Sequence, residues 1–225
     1  MLESASRVVR SLSTVSAVEA LVAELERRVL NGEFQPGERL REVELASEYA
    51  VGRHTLRAAF DALVRRGLLE KVRNRGVSVP ALTARDLVEI YELRTALEAQ
   101  AFRALAARAF VPPAARQAVE RLDELADDAP WRLVVEADFD FHSAVVAAAG
   151  NRRLKRMHDD LKSEILLGLV QLGHGYASVS TLAEEHRQLV AAIERGDPAE
   201  AERGIRGHLE RAAAWLGELA SSVGR

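Results

Sequence analysis

The sequence predicts a mainly α protein made of two unlike parts. Three observations carry this. The first part alternates short helical runs with a pair of apolar, β-branched segments around a Gly-containing tip. The second reads as helix throughout, broken only where Pro, Gly, Asn or Asp interrupt it. Charge also divides: residues 1–80 carry 13 Lys+Arg and 11 Asp+Glu, net +2, while the remainder carries 18 and 23, net −5.

Taken in order, residues 1–14 are expected to form a flexible N-terminal segment. An amphipathic helix over 15–31 ends at Asn31-Gly32. A short helix follows at about 42–49, then the turn AVG, then a helix at about 53–66. LLEKV and VSV flank the turn-like RNRG and read as a small β-hairpin. Helix, helix, short turn, helix, hairpin is the order of a winged helix-turn-helix, placed at 15–80. Residues 81–225 then form an all-α bundle of about six helices, divided at VPP (111–113), DDAP (127–130), GN (150–151), GHGY (173–176) and GDP (196–198).

Composition bounds the rest. A chain of 225 residues, 48 % hydrophobic, builds a substantial core and does not read as disordered. It has no cysteine, hence no disulfide or thiolate metal site. No run is long or apolar enough for a membrane span or a secretory signal, so a cytoplasmic protein is expected.

The one basic stripe lies in 53–75, where Arg53, Arg57, Arg65, Arg66, Lys71, Arg73 and Arg75 face only Asp61 and Glu70. Such a stripe is a phosphate footprint or a solvated helix face. In a helix-turn-helix the second helix enters the major groove by its N-terminal end, which here is GRHTLR (52–57). Arg53 and Arg57 share a face. Leu56, Ala59, Phe60 and Leu63 lie opposite and suit packing beneath.

The run PGERLREVELASEYAVGRHTLRAAFDALVRRGLLEKVRNRGVSV resembles the DNA-binding domain of the GntR family of bacterial transcription regulators. The resemblance implies that Arg39, Arg53, His54, Thr55, Arg57, Arg75 and Gly76 stand at DNA-contacting positions. Two departures matter. Gly52 replaces the usual serine and its capping hydroxyl. Ala58 replaces the usual glutamate, which leaves Arg57 without a local acidic partner.

In the second part, helical angles of ~100° per residue decide which polar groups face inward. Asp138 and His142 share a face with Val134, Val135, Phe141, Val145 and Ala149, while Asp140 points away. His186 falls with Leu182, Leu189 and Ile193. His208 falls with Ile205, Leu209, Ala212 and Leu216. A single inward histidine is commonly a hydrogen-bonded core residue, but an inward aspartate needs a partner or a cation. Imidazoles plus a carboxylate suit zinc first, with nickel, manganese or iron as alternatives. Four protein ligands leave one or two coordination positions open. Arg94 shares the face of Leu87, Tyr91, Glu98, Ala101 and Leu105. It reads as one half of a buried Arg94–Glu98 pair, as a bidentate contact for an anion, or as both.

ELRTALEAQAFRALAA, DFDFHSAVVAAAGN, EHRQLVAAIERGDPAEAE and GHLE resemble the ligand-binding domain, called FCD, of the FadR subfamily of GntR regulators, with the helix count of its VanR-like branch. The resemblance implies a divalent metal on Asp138, His142, His186 and His208, and a small carboxylic-acid effector. It also implies a homodimeric regulator, of repressor type, of a palindromic double-stranded DNA operator. The competing enzyme reading is an HD-type metal-dependent phosphohydrolase using His158-Asp159, but Asp159 diverges from the inward face of His158. A regulator with a purely structural metal is the other alternative. His174, between two glycines, reads as a loop residue.

Overall fold

The computed structural model describes residues 16–73, 76–172 and 178–223. The N-terminal segment, Arg75 and His174 therefore lie outside the described residues. The first helix, α1 (Ala17–Leu30), starts at a capping box in which the Ser16 hydroxyl accepts from Glu19 N (3.1 Å) and the Glu19 carboxylate accepts from Ser16 N (2.8 Å). It ends at Asn31, followed by Gly32 with φ 72°.

A strand that the sequence did not signal, β1 (Arg39–Leu40), precedes α2 (Glu42–Glu48) and α3 (Arg53–Arg65). The hairpin is β2 (Glu70–Val72) and β3 (Gly76–Ser78). β3 lies in the middle, antiparallel to both neighbours, in the order β1-β3-β2. Two-residue β1 is too short for an alternating pattern, which is why only its pairing, Arg39 with Ser78 and Leu40 with Val77, reveals it. The inward set expected of α3, Leu56, Ala59, Phe60 and Leu63, is fully buried under α1 and the sheet.

After the linker come six helices among the described residues: α4 (Ala84–Ala106), α5 (Pro113–Glu124), α6 (Trp131–Ala148), α7 (Arg152–Leu172), α8 (Val179–Glu194) and α9 (Pro198–Val223). The Pro and Asn breakpoints stand at their starts: Pro112 and Pro130 occupy the N-cap positions of α5 and α6, and Asn151 Oδ1 accepts from Arg153 N and Leu154 N before α7. None of these helices is long and apolar enough to cross a membrane.

α7 belongs to both parts. Ile165, Leu166 and Leu169 join the bundle core, whereas Leu167 joins the core of the winged helix. Gln171 clasps the linker, donating to Pro80 O (2.7 Å) and accepting from Leu82 N (3.1 Å). Glu164 lies over the turn that ends α3. There Gly67 has φ 72°, and a Cβ on it would meet Glu164 Cγ at 2.3 Å. Burial raises the Glu164 pKa.

Gly67→Ala therefore forces an L residue into left-handed backbone and presses on Glu164. We expect a loss of about 1–2 kcal/mol in urea-induced unfolding. Adding Glu164→Ala should restore only the packing share, and full recovery would show that backbone conformation contributes nothing.

Candidate functional site

Three helices aim four polar side chains at one point in the bundle. Asp138 and His142 sit one turn apart on α6, His186 comes from α8 and His208 from α9. One ligand atom from each lies within 4.8 Å of the others. His186 Nε2 is 3.2 Å from Asp138 Oδ1 and 3.3 Å from His142 Nε2, and His142 Nε2 is 3.7 Å from Asp138 Oδ1. The three histidines are buried, and the Asp138 side chain is 13 % exposed.

The outer nitrogen of each ring is already committed. His142 Nδ1 meets Glu98 Oε2 at 2.5 Å, His186 Nδ1 meets Leu182 O at 2.8 Å, and His208 Nδ1 meets Glu185 Oε2 at 2.7 Å. Carboxylates and carbonyls only accept, so each Nδ1 carries the proton and donates. In the neutral rings this turns three Nε2 lone pairs toward a carboxylate oxygen. Lone pairs this close repel unless a cation lies among them, and oriented imidazoles backed by carboxylate or carbonyl are how metal-ligating histidines are held. The donor set thus fits a divalent ion accepting nitrogen and oxygen ligands.

The charges gathered at the cluster shift its groups in different directions. Burial pushes the Asp138 carboxyl up, but His142 and His186 outweigh it and hold it well below the usual carboxylate range. Burial also lowers His142, but the Glu98 charge and Asp138 more than offset this and its pKa is raised. Burial dominates at His208, lowering it to about 4 against the Glu185 hydrogen bond.

Arg94 stands beside this cluster on α4. It is 1 % exposed, donates from Nε to Glu98 Oε1 (2.5 Å), and leaves Nη2 without a hydrogen-bond partner. The nearest carboxylate to Nη2 is Asp138 Oδ2, at 3.7 Å. The buried Arg94–Glu98 pair is present: Glu98 fixes the guanidinium, and its Nη2 edge has no hydrogen-bond partner. Arg94 lines a small cavity together with Tyr91, Trp131, Asp138, His208 and Trp215. The two tryptophans escaped sequence reasoning. Their signal was rarity, since the chain has only two, but Trp131 of α6 and Trp215 of α9, 84 positions apart, meet only once the bundle is folded.

His158 does not join the cluster. It is fully buried, stacks on Phe139 at 5.3 Å, and places Nε2 3.3 Å from Glu98 Oε1. Asp159 is exposed and pairs with Lys155. The adjacent dyad is thereby split between core and solvent. Asp140 likewise faces out, to Arg121 at 2.8 Å.

On the winged helix, Arg53, His54 and Arg57 are exposed at the start of α3, and Thr55 is partly buried. Gly52 caps this helix without a side-chain hydrogen bond, so its first N–H groups are open. Arg39 on β1 reaches Gly76 at the wing, where an added Cβ would sit 3.8 Å from its Nε. One expectation needs correction. Arg57 does have an acidic partner, Glu42 at 2.9 Å, supplied by α2 in place of the missing neighbour at Ala58. A contact across 15 positions is invisible to local pattern.

A helix-turn-helix with a wing, followed by an all-α domain with a buried polar pocket, defines a DNA-binding transcriptional regulator with a ligand-binding domain. Comparison with known proteins agrees. Residues 17–79 match the family described as bacterial regulatory proteins, gntR family, and residues 89–211 match the FCD domain. The chain belongs to the GntR family of DNA-binding transcriptional regulators, with the FadR-like FCD architecture. It is 34 % identical over 198 residues, covering 87 % of this chain and 85 % of the relative, to a probable D-xylose utilization operon transcriptional repressor of Paenarthrobacter nicotinovorans. It is 31 % identical to the HTH-type transcriptional repressor GlaR of Escherichia coli (strain K12), over 82 % of this chain and 89 % of that one. Among solved structures, a GntR transcriptional regulator from Rhodococcus sp. RHA1 superposes with a TM-score of 0.78 at 25 % identity, covering 88 % of this chain and 96 % of that one.

Glu98 is 0 % exposed and meets Arg94, His142 and His158. Glu98→Leu leaves the Arg94 charge buried without its hydrogen-bonded partner. We expect a loss of about 3–5 kcal/mol in chemical denaturation, far above a surface carboxylate change. A loss below ~1 kcal/mol, the scale of an exposed ion pair, would show that the pair is solvated in solution.

Proposed function

We propose that this protein is a dimeric repressor whose operator affinity is set by a small carboxylic acid bound beside a divalent metal. The observation that carries the reading is the unpartnered Nη2 edge of buried Arg94 next to four converging metal-type ligands. A bound divalent ion supplies concentrated positive charge to one acid oxygen. Asp138, His142, His186 and His208 hold that ion, zinc first among the candidates. Arg94 offers its remaining N–H edge to the other oxygen, and Glu98 keeps the guanidinium aimed. Several relatives are named as repressors, which supports the direction of control.

At the other end, Arg39, Arg53, His54, Thr55, Arg57, Arg75 and Gly76 meet DNA. A palindromic operator follows from a two-fold dimer, and the protein acts in the cytoplasm, where that DNA is. Effector binding alters the relation between the winged helices and releases DNA. α7 supports this route, because it lines the cavity with Leu169 and packs Leu167 into the winged-helix core. Whatever state the acid prefers, DNA must oppose it by the same factor.

Arg57→Ala is expected to abolish specific operator binding at moderate salt while leaving metal content unchanged. His186→Ala is expected to do the reverse. Gel-shift titration at matched salt and elemental analysis separate the two. Unchanged operator affinity in Arg57→Ala would remove α3 from the groove. A small-acid thermal-shift screen on wild type and His142→Ala tests the effector: if no acid changes melting temperature or operator affinity of metal-replete protein, the metal is structural only.

A further inference from the structure

The chemistry of the cavity wall narrows the effector, on the reading that Arg94 and the four-ligand cluster form an acid site. We infer that the acid is a monocarboxylate carrying one aromatic ring, rather than a polyhydroxylated sugar acid or a dicarboxylate.

The polar groups of the cavity gather in one place. Arg94 Nη2 lies 3.7 Å from Asp138, Asp138 belongs with His208 to the ligand cluster, and the Arg94 guanidinium carbon sits 5.2 Å from the Tyr91 ring centroid. Arg94 is the only lysine or arginine among the described lining residues. With the ion and Arg94 both engaged by the two oxygens of one carboxylate, a second carboxylate reaching the far wall would be buried without a cation.

The rest of the wall is apolar. Trp131 and Trp215 stand with ring centroids 6.5 Å apart and planes inclined by 59°. Val134, Val135, Leu169, Leu182 and Ala212 fill the space around them. Trp131 spends its N–H on Leu169 O (3.2 Å), so it shows the ligand a ring face or edge, not a donor. Each sugar hydroxyl buried here would forfeit its water without replacement, at about 1–3 kcal/mol apiece. A planar ring loses nothing of the kind, and gains apolar burial and aromatic contact with the indoles.

Both tryptophans of the chain line this cavity, so tryptophan emission reports occupancy directly. Metal-replete full-length protein is titrated with benzoate, D-gluconate and succinate, with calorimetry alongside. Benzoate is expected to change the emission saturably, with a dissociation constant at least ~10-fold below those of the other two acids. Trp215→Ala should weaken benzoate at least ~10-fold with metal content unchanged, and Trp215→Phe should retain most of the affinity. Gluconate or succinate binding as tightly as benzoate to wild type overturns the aromatic assignment but leaves the acid site standing. Calorimetry that detects no acid on wild type, or equal benzoate binding by Arg94→Ala, overturns both. The wild-type comparison decides the class even if Trp215→Ala does not fold.

Discussion

The bundle is organised around one buried carboxylate. Glu98 is 0 % exposed, and an ion so placed is tolerable only when its lone pairs are filled by charged or strongly polar donors. Burial pushes its pKa up, yet Arg94 and His142 outweigh burial and hold it well below the usual carboxylate range. The partners come from three helices: Arg94 from α4 itself, His142 from α6 and His158 from α7. Satisfying Glu98 thus fixes the relative placement of α4, α6 and α7. It also fixes the tautomer of one ring in the four-ligand cluster and the tilt of the guanidinium beside it. Cluster and cavity cannot be displaced independently while they share this acceptor.

α7 carries that constraint outward. One of its faces holds His158 against Glu98 and Leu169 against the cavity. Another holds Leu167 in the winged-helix core, Glu164 over the Gly67 turn, and Gln171 on both sides of the linker. Close packing makes such an element respond as a body, because a gap or an overlap of a fraction of an ångström has no neighbouring void to absorb it. Gly168 illustrates this, since a Cβ there would meet Leu87 Cδ2 of α4 at 2.3 Å.

Much of this was legible in the sequence, for identifiable reasons. Helix breaks at Pro112, Pro130, Asn151 and Gly196 follow from local sterics, and the inward faces of α3, α6 and α8 follow from periodicity. Asp138, His142, His186 and His208 could be singled out because each stands among apolar neighbours at helical spacing. What stayed hidden depends on contacts between segments. The Glu98–His142 bond spans 44 positions, and Glu185, though next to His186 in the chain, serves His208 on another helix. β1 is defined only by its partner, and the Arg57–Glu42 pair only by how α2 crosses α3.

The energies involved are consistent with small structural changes. Coupling free energies between effector and operator sites are typically about 1–3 kcal/mol. A single hydrogen bond contributes about 0.5–1.5 kcal/mol net, and burying one CH2 group contributes about 0.8 kcal/mol. The clasp of Gln171 on Pro80 and Leu82 and the insertion of Leu167 lie on that scale. On the proposed reading, an acid that engages Arg94 Nη2 need only bias how α7 seats between the two cores. The buried Glu98 network would remain intact in both states, since breaking it would cost more than the regulation requires. The adjustable contacts are then those between α7 and the winged helix, and the carboxylate hub is the fixed point against which they move.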